Sequence, residues 1–144
     1  MAVSDLLAPS LTEAPRRPIF SMNAMIAAAF FGGAFAVPLL AMENSRRLTR
    51  LPRDAAFLVL ALLGAAAVLL FTLQSVDISE SRKEFRLLSR ALGFAYVGGY
   101  YWLHREAYRS LKILGIEPAS PWLAVLASVL LSLAITILLL NTAA

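Results

Sequence analysis

Charged side chains are missing from three long stretches of the chain, residues 21–42, 55–76 and 121–140. At 1.5 Å per residue, a helix through any of them reaches ~30–33 Å, the thickness of a bilayer's hydrocarbon core. The pattern therefore predicts three transmembrane helices. Residues 79–114 follow a different rule. Phe85, Leu88, Leu92, Ala95, Gly99, Leu103, Ala107, Leu111 and Leu114 step by three or four, which predicts a fourth helix with one apolar face. Its part that is apolar or aromatic all round, residues 91–103, reaches only ~20 Å. Two alternatives follow: a tilted crossing with Arg90 and Arg105 snorkelling, or a helix lying in the interface. The crossing is preferred, and with four crossings both termini share one side.

The joints between these elements carry their own signals. Residues 1–20 hold Pro9, Pro15 and Pro18 with Arg16 and Arg17, and read as a flexible leader. The apolar run behind them exceeds the ~7–15 residues of a cleaved signal sequence. Residues 43–54 carry four arginines and Pro52, the composition of a turn between spans. Gly115 is placed to end the 79–114 helix in a left-handed conformation. Ser120 is the expected N-cap of the last helix, with Pro121 at its first position.

Packing signals lie inside the spans. Pro38 deprives the Ala34 carbonyl of its helical donor. Ala24, Ala28, Gly32 and Ala36 recur every four residues, a smooth stripe that lets another helix approach closely. The chain's own helices are the expected partners, with a dimer seam as the alternative. Ser128, Ser132 and Thr136 form a hydroxyl stripe that bonds across helices or back to its own carbonyls.

Composition strengthens the membrane reading. The chain is 60% hydrophobic and 15% charged, with a mean hydropathy of +0.74. Soluble domains run near ~25% charged. The expected fold class is an all-α integral membrane helical bundle, one domain over residues 21–144. The net charge of +4 comes largely from arginines beside the spans, where they anchor and orient helices rather than bind nucleic acid. Arg86, Arg90, Arg105, Arg109 and Lys112 form the candidate surface for lipid headgroups or a partner.

Candidate chemistry is sparse. With no cysteine and a single histidine, His104, the chain predicts no catalytic residues, cofactor or metal site. His104 is expected at the interface, in water. Asp77, Glu80 and Glu84 read as a charged, solvated turn at a helix start. The spans hold no ionisable groups and no internal repeat stands out, so a transporter is not the expectation.

Phe31-Gly32-Gly33 followed by Leu39-Leu40 and Asn44, and residues 104–115 followed by Ser120-Pro121-Trp122, resemble a family of small, uncharacterised bacterial membrane proteins. In that family a proline often follows the two glycines; here Ala34 does, and the proline comes at Pro38. The resemblance implies a multi-helix protein of the bacterial inner membrane and no particular activity. The function expected is a non-catalytic accessory, scaffold or regulatory subunit, with the lipid bilayer and a protein partner or second copy around it. The alternative is a membrane-surface or lipid-binding sensor using the basic 79–114 helix. A lipid-modifying enzyme and an oligomeric pore stand behind these.

Overall fold

A computed structural model describes residues 18–75, 78–113 and 115–143. Asp77 and most of the 1–20 leader, with Arg16 and Arg17, lie outside the described residues, as do the side chains of Glu80 and Glu84. The described residues form four helices: α1 (Met22–Arg47), α2 (Leu51–Ser75), α3 (Ile78–Ile113) and α4 (Trp122–Ala143). α1 is the hub and packs on all three others. By length and composition, two helical stretches are apolar enough to cross a membrane, Met22–Arg47 and Leu51–Phe71.

α1 is not a rod, and this corrects the expectation of a single span over 21–42. The Phe20 N–H donates to Asn44 Oδ1 at 2.8 Å, and Asn44 Nδ2 donates back to the Phe20 carbonyl at 3.3 Å. In a straight helix, residues this far apart in sequence would be separated by ~36 Å. The helix reverses at Gly33, whose φ of 64° and ψ of −149° lie outside helical space. Residues 22–32 run in and residues 34–47 run back, so α1 is a helical hairpin. Each arm rises only ~16–20 Å, roughly half a bilayer core.

The small-residue stripe packs within the chain, against the other helices and against the second arm of α1 itself. One core cluster contains Ala24, Met25, Ala28 and Ala29 from one arm and Ala36, Val37, Leu40 and Ala41 from the other, together with Leu58 of α2, Val97 and Tyr100 of α3 and Val125 of α4. Ala24 and Ala28 thus let two arms of one helix close on each other, and Ala36 lies beyond the reversal. Gly32 sits at the apex against α4, where an added Cβ would meet Val129 Cγ2 at 3.1 Å. Gly93 of α3 admits the apex from the other side, since a Cβ there would lie 3.1 Å from the Gly33 carbonyl oxygen.

Two levels organise the bundle. At the base lie residues 18–20, the 48–50 turn, the end of α3 and the start of α4. α1 ends in a Schellman arrangement, with Thr49 at φ 56° and the Arg50 N–H bonded to the Ser45 carbonyl at 2.9 Å. α2 starts at Leu51, after a three-residue turn, with its Arg53 and Asp54 N–H groups bonded to the Arg50 carbonyl. The Ala119 N–H donates to the Ile19 carbonyl at 3.0 Å, tying the chain before α1 to the chain before α4. At the apex level Ala34 and Phe35 pack with Ala65 and Leu69 of α2. α2 and α4 then run away from the base and α3 returns to it.

Boundaries shift modestly. α1 and α2 extend into the 43–54 turn, leaving residues 48–50 between them. α4 begins at Trp122 rather than Pro121, and the Pro121 carbonyl accepts its first helical bond, from the Val125 N–H at 2.8 Å. Pro121 therefore occupies the capping position expected of Ser120. Gly115 does take a left-handed φ of 65°.

Candidate functional site

Two polar centres are built into this frame, one at each level. The base centre begins with Asn44, whose amide pairs with both the N–H and the carbonyl of Phe20, much as a neighbouring strand would. Its Nδ2 also lies 3.3 Å from the Tyr108 hydroxyl, which donates to the Phe20 carbonyl at 3.4 Å. Arg47 adds a bond from Nη1 to the Pro18 carbonyl at 2.7 Å and lies over the Phe20 ring. Asn44 is fully buried, and in such a place each unpaired polar group would cost free energy. These bonds close the open end of the hairpin.

Beside them, Ser45 Oγ and the Tyr100 hydroxyl are 3.1 Å apart. The Tyr100 ring lies 4.4 Å from the His104 ring, and His104 Nε2 lies 3.0 Å from Asp54 Oδ2. His104 and Asp54 are 2% and 3% exposed. The expectation of a solvated His104 is therefore overturned: Tyr100, His104 and Tyr108 recur every fourth residue and turn one stripe of α3 inward. The His104–Asp54 contact is close but not an in-line hydrogen bond, and His104 Nδ1 has no partner among the described residues. A carboxylate in the first turn of α2 also sits where the helix dipole favours it. Among the described residues no group of three histidine or acidic side chains comes together to hold a metal.

The apex centre answers the backbone groups freed at Gly33. The Ala34 N–H donates to Ser89 Oγ at 3.0 Å. Arg90 Nε donates to the Phe30 carbonyl at 3.1 Å, with its guanidinium over the Phe30 ring. Ser132 Oγ donates to the Gly32 carbonyl at 2.7 Å. Buried non-helical backbone is costly unless such partners satisfy its polar groups. Ser128 and Thr136 instead bond back to their own helix, at the Val125 and Ser132 carbonyls.

The structure thus joins residues that sequence places in separate groups. Gly32, Ser132, Thr136, Arg86 and Arg90 all line one cavity of about 530 Å3 at the apex. Arg105, Arg109 and Lys112 lie towards the base, exposed, and do not join them. Ser89, Asn44, Asp54 and the inward tyrosines are missed by sequence reasoning, although the four-residue spacing of Tyr96, Tyr100, His104 and Tyr108 is visible there.

Among the described residues the fold is all-α with four helices, and two helical stretches are by length and composition apolar enough to cross a membrane. Comparison with family models, with curated proteins and with solved structures gives no match.

Proposed function

We propose that this chain is a non-catalytic, multi-pass protein of the bacterial inner membrane, an accessory or scaffold subunit with three crossings and a re-entrant hairpin. The observation that carries the membrane reading is an outer surface covered by large apolar side chains, with polar groups held inside among the apolar core. Asp54, Ser89, His104, Ser128 and Ser132 are buried. Leu60, at 68% exposed, and Leu123, at 83%, face outward with Phe71, Leu87, Trp102 and Leu138. Water would penalise that arrangement, whereas lipid rewards it. The subunit reading is supported by how the buried polar groups are used. Asn44, Ser45, Tyr100 and Tyr108 bind helix to helix, and α4, packed chiefly on α1, keeps a broad apolar face.

The hairpin also sets an orientation. If α1 returns to its starting side, α2, α3 and α4 make the crossings. Among the described residues the base side then gathers the four arginines of residues 46–53, with Arg105, Arg109 and Lys112, seven positive residues against four on the apex side, Arg82, Lys83, Arg86 and Arg90. The positive-inside rule then puts the base in the cytoplasm. On this reading there are three crossings rather than four, and the termini lie on opposite sides. Single cysteines at Arg53 and Glu117, treated with an impermeant thiol reagent, should both be shielded in intact cells, whereas one at Lys83 should react. Labelling of Arg53 and Glu117 from outside, or of all three alike, sinks the orientation.

A lipid-binding role is a second reading, favoured by one observation: Arg86 and Arg90 line the apex cavity rather than spreading over a helix surface.

A further inference from the structure

The geometry points to the apex cavity as a binding site for a phosphate-bearing anion, a step that rests on the lipid-binding reading and gives it a ligand class. Three features converge there. The first is charge: Arg86 and Arg90 stand one helical turn apart on α3, and both line the cavity. Arg90 spends Nε on the Phe30 carbonyl, and a guanidinium carries four further N–H donors suited to paired phosphate oxygens. No acidic side chain lines the cavity among the described residues.

The second feature is hydroxyl chemistry. Ser89 Oγ accepts from the Ala34 N–H, so its own hydrogen is left to donate. It sits beside Arg90 in sequence and on the same cavity wall. The third is the backbone: Gly32 and Gly33 of the reversal line the same cavity, so main-chain atoms share it with the two guanidinium groups and the hydroxyl.

The walls fit an amphiphilic ligand. Phe30, Phe31, Phe85 and Leu133 line the same cavity, and Phe31 and Leu133 are also exposed on the bundle's outer surface. A phosphate at the arginines would therefore have an apolar surface beside it. The shared chemistry is the phosphate; a phospholipid headgroup and free inorganic phosphate are its two sources.

The full chain, purified in mild neutral detergent, would be titrated with phosphatidylglycerol, phosphatidylcholine and inorganic phosphate, reading the melting temperature and, by native mass spectrometry, the bound ligand. Phosphatidylglycerol should bind and raise the melting temperature, and phosphatidylcholine should bind more weakly. Arg86→Gln should weaken phosphatidylglycerol binding by about tenfold, the scale of one charge-assisted contact, without lowering the ligand-free melting temperature. Arg86 is exposed, so this variant is expected to fold; Arg90→Lys, which keeps the charge but loses the fork, supplies a second reading of the site. Inorganic phosphate binding with the same Arg86 dependence would support the site with a free anion as its source. Equal phosphatidylglycerol binding by wild type and Arg86→Gln overturns it. Should binding survive Arg86→Gln but fail in Arg105→Gln with Arg109→Gln, lipid binding stands at the base and the cavity site falls. Failure of every variant and the wild type to bind any probe overturns both.

Discussion

Gly33→Ala is expected to destabilise the protein by about 3 kcal/mol, from backbone strain of ~1–3 kcal/mol and an unpaired backbone N–H of similar cost. The φ of 64° with ψ of −149° falls in a region that a Cβ makes costly. A Cβ would also collide with the Ser89 hydroxyl and push it off the Ala34 N–H. The matching control is Gly98→Ala, where an added methyl meets nothing within 4 Å and a helical glycine is replaced by a better helix former. Unfolding in a graded detergent or denaturant series should show a large loss for Gly33→Ala and none for Gly98→Ala. Equal stability of the two variants would mean that the reversal does not hold the fold together.

The second large effect belongs to the buried pair. Asp54→Leu and His104→Leu should each cost about 1–3 kcal/mol, because removing one member takes away the nearest polar neighbour of the other's buried atoms. The double variant should cost much less than the sum, since replacing both removes the group left unsatisfied. The non-additivity is the diagnostic, measured as a double-mutant cycle on unfolding free energy. Two small, additive effects would show that the 3.0 Å contact does not couple α2 to α3.

Much of the architecture is legible in the sequence. The uncharged runs mark the α2 and α4 helices to within a few residues, and the three-to-four stepping marks α3. The hairpin is harder to see for a physical reason. Hydropathy adds apolar residues along a run and carries no direction, so residues 21–42 read as one rod whether the chain continues or reverses. The reversal depends on the conformation of Gly33 and on Asn44 meeting Phe20, a contact 24 residues long. Gly32-Gly33 and Pro38 are its local signals, yet each also fits close packing in a straight span. The inner face of α3 is legible only in part. Phe85, Leu92, Gly99 and Ala107 of the stepping series pack inward, Leu88 and Leu103 face outward, and Ser89, Gly93, Val97, Tyr100 and His104 are buried. Where the surroundings are as apolar as the core, an apolar stripe does not mark the inside. The apex cavity draws residues from α1, α3 and α4, so only a fold that brings Gly32 to Ser132 can assemble it.

The central claim is that α1 doubles back on itself, and a distance measures it most directly. Spin labels on Asn23→Cys and Arg46→Cys occupy exposed positions near the two ends of α1, and pulsed dipolar spectroscopy on the protein in lipid nanodiscs reports their separation. Packed arms with axes ~8–10 Å apart put the labels within roughly 20 Å. A continuous transmembrane helix would hold the same two positions ~35 Å apart. A single short distance supports the re-entrant hairpin, and a distribution centred near the longer value contradicts it.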